Sequence, residues 1–274
     1  MNKAKTYLAE VTTEDAMGET ARIYDAIRRC TGAPLVALIY RHLATMPGVL
    51  ESFWQGVGPL MEHGIVQGCA WKIAEGAWPG AVPEPDAALR ALASVELARA
   101  ANVIDAYNRA NPVNYALVSI IRAARAGNGS AQVLAGGPAW TPPTPLPAIA
   151  NIPSMAVLDP AARALVDGFG KAGGTGEPVL VPTLYRHIAH WPALLGLAAR
   201  EVGPRLATAA FAEAIGGFHA GVATAAADIA RQHAISVDPL LQSPALNAVF
   251  DRFSHVIPEM VVVGTFLRRV IDRA

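Results

Sequence analysis

The chain has 274 residues, 53% of them apolar, and 22 acidic against 22 basic side chains, a formal net charge of zero. That length accommodates two domain-sized units. The absence of a basic stripe or polybasic tail leaves nucleic acid no electrostatic reason to bind, and no apolar run reaches the roughly 18 residues needed to cross a bilayer. The N-terminal residues lack the apolar stretch of a secretory signal. With Cys30 and Cys69 as the only cysteines, no disulfide framework is expected and a reducing, cytoplasmic setting is the default. A weakly charged, apolar chain also fits one that buries surface in a homo-oligomer.

In chain order, Thr12 or Thr13 ahead of Glu14 and Asp15 reads as an N-cap followed by first-turn acids. It predicts a helix through about Cys30, with Ala16, Ile23 and Ile27 on one face. Residues 35–59 follow, LVALIYRHLATMPGVLESFWQGVGP, in which Pro47 opens a helix after the Thr45-Met46 turn. The motif Ile104-Asp105-Ala106-Tyr107 precedes Pro112 and an apolar helix over 115–124. A proline-rich stretch then carries Pro138, Pro142, Pro143, Pro145, Pro147 and Pro153. It cannot continue a helix and predicts an extended, semi-rigid connector lying along the surface. Asp159-Pro160 and Ser243-Pro244 are N-cap/N1 pairs.

Residues 180–204 read LVPTLYRHIAHWPALLGLAAREVGP, a second copy of 35–59 with 11 identities in 25 positions, including Tyr-Arg-His and the closing Val-Gly-Pro. Pro192 opens the helix that Pro47 opens in the first copy. Further on, the Ala/Gly-rich run over 214–227 predicts a helix that its neighbours approach closely. Phe250-Asp251-Arg252-Phe253 matches Ile104–Tyr107, Pro258 matches Pro112, and an apolar helix over 261–271 follows. One single-residue indel separates the two registers. The prediction is an all-α fold of two homologous helical repeats, 1–127 and 159–274, forming a pseudo-dimer joined by a Pro-rich linker at 128–158.

Several chemistries lack their motifs. There is no G-x-G-x-x-G or Walker loop after a strand, so no nucleotide cofactor is expected, and there is no G-x-S-x-G elbow. His187 and His190 have a ligand-like spacing but no third ligand nearby, which reads as exposed helix-end histidines rather than a metal site. The paired triplets Tyr40-Arg41-His42 and Tyr185-Arg186-His187 admit two readings. Arg or His binds an anion, or Tyr faces the core while Arg and His hold carbonyls and acids on the helix flank. Retention in both copies favours the second. More telling are positions where the copies differ in polarity: Asn111 and Asn114 stand opposite Ile257 and Met260, and Thr183 opposite Leu38. Asn111 is also placed for a helix cap. Phe53 and Trp54 become Ala198 and Ala199, a volume difference that leaves a cavity or is repacked.

The duplicated unit with its Y-R-H-x-A-x-x-P pattern, the Pro-rich crossing, and Asn-Pro-x-Asn in the first copy alone resemble the group I 2-haloacid dehalogenases. The resemblance spans nearly the whole chain through diffuse motifs. It implies an all-α pseudo-dimer, distantly alkylhydroperoxidase-like. It also implies cofactor-free hydrolysis of 2-haloacids, with an aspartate activating a water that attacks the halogen-bearing carbon and an asparagine holding that water, at a site between the halves. Carried over residue by residue, the asparagine falls on Asn114, with Asn111 second. The aspartate position falls on Leu184, and Thr183 keeps a hydroxyl beside the substrate carboxylate. Leu38 and Met260 complete the expected substrate-binding set. The chain then reads as a dehalogenase-like hydrolase acting on a small-molecule carboxylic acid, with Leu184 unable to accept a proton. The alternative is a non-dehalogenating relative that binds a small apolar acid or metabolite in the same pocket. A third reading, a structural or interaction protein, predicts solid packing around Asn114 and Thr183.

Overall fold

In the computed structural model, residues 7–127, 140–171, 177–235 and 237–274 are described. The expected Pro138 and the first part of the linker lie outside them. Among the described residues there are eleven α-helices, one 3-10 turn at Pro239–Gln242 and two isolated β-bridges, with no strand. The all-α expectation holds. Among the described residues no single helix is long and apolar enough to cross a membrane.

The first half contains α1 (Gly18–Thr31), α2 (Leu38–Leu43), α3 (Val49–Glu62), α4 (Ile65–Glu75), α5 (Ala87–Arg90) and α6 (Ser94–Arg125). The second contains α7 (Pro160–Gly168), α8 (Thr183–Ile188), α9 (Pro192–Leu206), α10 (Ala209–Gln232) and α11 (Pro244–Ile271). Asp159 accepts hydrogen bonds from the Ala161 and Ala162 amides, and Ser243 from that of Leu246, so both predicted proline-led caps form. The six-residue helices α2 and α8 carry the two triplets.

Two predicted helix starts are displaced. Thr12 accepts from the Asp15 amide in a separate turn, and Gly18 adopts φ 55°, so α1 begins at Gly18 rather than after Thr13. Pro47 lies in a turn because Gly48, at φ 75°, is the N-cap of α3. The helix after Pro112 is also not a new one. Pro112 and Pro258 sit inside the long helices α6 and α11, so Asn111 caps nothing. Each proline removes one N–H bond to the carbonyl four residues back, and the packed surroundings keep the helix continuous. Every residue from Ala110 to Val118 is buried, so this stretch of α6 is enclosed on all sides.

Packing follows from that burial. α6 lies against α4, α10, α11 and α8 and also touches α1 and α3. Elsewhere the contacts correspond between halves: α1 with α3 and α7 with α9, α2 with α3 and α8 with α9, α3 with α4 and α9 with α10. Away from α6, three of the larger contacts among the described residues cross between the halves, and α4 with α10 is one of them. α5, just before α6, packs on α9, and the 3-10 turn just before α11 packs on α3. In α10, a Cβ on Gly221 would stand 2.9 Å from the Ile73 side chain, the close approach expected of the Ala/Gly run. Gly216 and Gly217 have open space beside them, so that expectation holds for one glycine of the three.

Residues 140–159 run without helix until α7, tied down by backbone groups. Leu146 N–H donates to the Gly32 carbonyl at 2.8 Å, and the Arg109 guanidinium donates to the Thr144 carbonyl at 2.7 Å. Gly32, the left-handed C-cap of α1, could carry no side chain there, since a Cβ would stand 2.8 Å from Arg109 and 3.1 Å from Pro143.

Candidate functional site

A small pocket opens where α2, α6, α8 and α11 converge, and all six sequence-predicted site residues border it: Asn114, Asn111, Leu184, Thr183, Leu38 and Met260. Spacing puts them there. Tyr107, Asn111 and Asn114 lie four and then three residues apart on one face of α6. Phe253, Ile257 and Met260 take the same spacing on α11. About 40 Å³ is open to the centre of a water molecule, room for a few waters or a very small ligand.

The lining pairs up between the halves. In the alignment of the two copies Leu38 corresponds to Thr183, Ile39 to Leu184, Tyr107 to Phe253, Asn111 to Ile257 and Asn114 to Met260, and all ten line the pocket. In four of these five pairs one member is polar and the other apolar. Three of the polar members come from α6. Tyr107, Phe253, Val256 and Ile257 were not singled out as lining in the sequence. The Tyr107/Phe253 pair carried the same polarity signal as Asn114/Met260 and was the available clue.

Asn114 is 1% exposed, and neither its Oδ1 nor its Nδ2 has a hydrogen-bond partner among the described residues. Buried polar groups are nearly always satisfied, so this carboxamide is free to bind something in the pocket. Leu184, also 1% exposed, forms apolar wall. Among the described residues the lining contains no carboxylate, imidazole, ammonium or guanidinium. Its one titratable group is Tyr107, whose phenol burial pushes up to about 12, the Thr183 hydroxyl offsetting a little of the rise.

Behind the pocket, Tyr107 contacts His187. His187 Nε2 lies 2.7 Å from the Ala150 carbonyl, an acceptor only, so Nε2 carries the proton. Nδ1 then accepts from the Tyr107 hydroxyl at 3.3 Å. Burial, with His190 adding to it, lowers the His187 pKa to about 4 despite the Ala150 bond. This corrects the exposed helix-end reading: His187 is buried because residues 150–153 pass over it, and only His190 is exposed. Among the described residues no cluster of three or more His, Cys, Asp or Glu is placed to hold a metal.

Among the remaining triplet residues, the tyrosines face the core and the others meet carbonyls or acids. Tyr40 and Tyr185 are fully buried. His42 Nδ1–H donates to the Ala9 carbonyl at 2.8 Å, and Arg41 and Arg186 both reach Glu10.

No family model matches the chain, and no curated protein matches it in sequence. Solved structures do. One of a D-2-haloacid dehalogenase mutant superposes at TM-score 0.73 with 19% identity, covering 98% of this chain and 95% of that one. A complex of such a mutant with D-2-CPA gives 0.67 and 20%, covering 98% and 95%. A D-2-haloacid dehalogenase complex with L-LA gives 0.67 and 18%, covering 98% and 96%. The class is therefore set by shape: an all-α, group I haloacid-dehalogenase-like fold over nearly the whole chain. At these identities the likeness is one of fold.

Proposed function

We propose that the chain is a non-hydrolysing protein on the dehalogenase-like fold. In this reading its two halves form a pseudo-dimer, and the pocket between them holds a small, largely apolar metabolite. The observation that carries it is the pairing of a free, buried Asn114 carboxamide with a lining that has no base. Water attack on a carbon–halogen bond needs a proton acceptor within hydrogen-bond reach of the water. Leu184 cannot serve, and the Tyr107 phenol stays protonated at neutral pH. Without a cation in the lining, the ligand is uncharged where it meets the pocket, because an unpaired carboxylate there is too costly to desolvate. The Asn114 amide, with one donor end and one acceptor end, binds its polar group.

Two measurements on the purified chain test this. Incubation with each enantiomer of 2-chloropropionate is expected to release no chloride above background, and release from either overturns the non-hydrolysing reading. Isobutyramide and isobutanol, two uncharged probes of suitable size, are expected to raise the thermal midpoint in the wild type and not in Asn114→Leu. Binding of neither removes the pocket as a ligand site.

A further inference from the structure

The duplicated triplets bring their arginines to one point. Arg41 Nη1 lies 2.8 Å from Glu10 Oε2, and Arg186 Nη1 lies 3.2 Å from Glu10 Oε1. Side-chain exposures are 5% for Arg41, 11% for Arg186 and 18% for Glu10. Two guanidiniums against one carboxylate leave one positive charge in excess where solvent is scarce, an arrangement that favours a further anion.

The arginines differ in how they use their remaining donors. Arg186 Nε donates to the Pro153 carbonyl at 3.1 Å. Arg41 Nε and Nη2 are buried and have no partner among the described residues. Those two atoms form one edge of the guanidinium, a parallel pair of N–H donors that matches the two oxygens of a carboxylate. Buried donors left unpaired call for an ion or an ordered water.

Both arginines line a cleft with about 250 Å³ open to the centre of a water molecule, and Thr12, Thr13, Asn151 and Ser154 add hydroxyl and amide groups to its wall. Glu10 is already engaged by both arginines. The other acid there, Glu14, is ionised, its carboxyl held low by backbone and threonine hydrogen bonds. It offsets part of the excess, but it is exposed and solvent screens it. His187 is neutral at pH 7.

We propose that this cleft binds one small carboxylate, side-on against Arg41 Nε and Nη2, with Arg186 contributing charge. A monoanion suits the small excess that Glu10 and the screened Glu14 leave, whereas a dianion such as sulfate exceeds it further. The site is separate from the Asn114 pocket and stands or falls independently of the function proposed for it.

Isothermal titration of the intact chain with sodium propionate at pH 7 is expected to show one site. Glu10→Gln removes the competing carboxylate and is expected to tighten propionate binding about tenfold or more. Arg41→Lys keeps the charge but loses the two-donor edge, and is expected to weaken it about tenfold. Sulfate is expected to bind more weakly than propionate. The proposal is overturned by absence of propionate binding, by a folded Glu10→Gln variant that binds no more tightly, by a folded Arg41→Lys variant that binds equally well, or by a preference for sulfate. Circular dichroism establishes folding, and if Arg41→Lys fails to fold, Glu10→Gln decides alone.

Discussion

The two walls of the pocket come from matching positions in the two halves, yet they differ in chemistry. The first-half wall supplies Tyr107, Asn111 and Asn114, and the second supplies Phe253, Ile257 and Met260. Thr183 against Leu38 is the one exchange in the opposite sense. Unequal polarity at positions that the sequence alignment pairs indicates that the spacing does not demand polar groups, since apolar side chains fill it on α11. Polarity kept on one side, at the cost of burying it, is what a ligand site requires and a core does not.

The largest expected effect comes from placing a base in this setting. Leu184→Asp puts a carboxylate at a 1% exposed position, which is expected to cost about 3 kcal/mol or more at neutral pH. Burial raises the new group's folded pKa above its unfolded value. The variant is therefore closest to wild type in acid and loses stability as pH rises through that raised pKa, a trend that urea titrations at pH 5 and pH 8 read directly. In the folded variant, chloride release from at least one 2-chloropropionate enantiomer is expected to rise above wild type. A folded variant with no release would place the divergence in the walls as well as at the missing base.

Next in size is acid sensitivity, where the two triplet histidines can be compared. His187 has a folded pKa lowered to about 4 from 6.5, by burial first and then by His190, Arg41 and Arg186. The unfolded chain therefore takes up a proton near pH 6.5 that the folded chain refuses until about pH 4. Stability falls as pH drops across that window, by about 3 kcal/mol at its lower end. His42, bonded to Ala9 and half-buried, is lowered in the same direction by burial. Urea midpoints between pH 7 and pH 4 are expected to flatten more in His187→Gln than in His42→Gln.

Much of this contrast was readable in the sequence, because aligning the copies lists ten residues that line the pocket. Asn114 against Met260 and Thr183 against Leu38 mark it without any coordinates. What escaped depends on contacts between distant segments. The continuity of α6 through Pro112 reflects burial overriding a local penalty. The burial of His187 depends on the course of residues 150–153, and the meeting of Arg41 with Arg186 on the position of Glu10. The displaced start of α1 was a local miss, set by the left-handed Gly18. No property of residues 35–59 or 180–204 alone specifies the long-range contacts.

Exchanging polarity between the walls gives a smaller and opposite pair of effects. Asn114→Leu removes two unpaired buried atoms and is expected to stabilise the chain by about 1 kcal/mol, while abolishing stabilisation by isobutyramide. Met260→Asn adds an unpaired amide to the apolar wall and is expected to cost about 2 kcal/mol. Denaturant midpoints that move in the same direction for both would contradict the asymmetry.

The smallest effect is expected from making Tyr107 match its counterpart. Tyr107→Phe keeps the ring and removes the hydroxyl that donates to His187 Nδ1 at 3.3 Å, leaving a buried acceptor unpaired at a cost of about 1 kcal/mol. The same change alters the acid response. A hydrogen bond donated to Nδ1 stabilises the neutral imidazole, so its loss lets the folded chain accept a proton at higher pH. The gap between folded and unfolded His187 narrows, and less stability is lost between pH 6.5 and pH 4 than in the wild type. A variant destabilised at pH 7 yet less acid-sensitive thus distinguishes loss of this hydrogen bond from general loosening of the pocket, which lowers stability at both ends of the window alike.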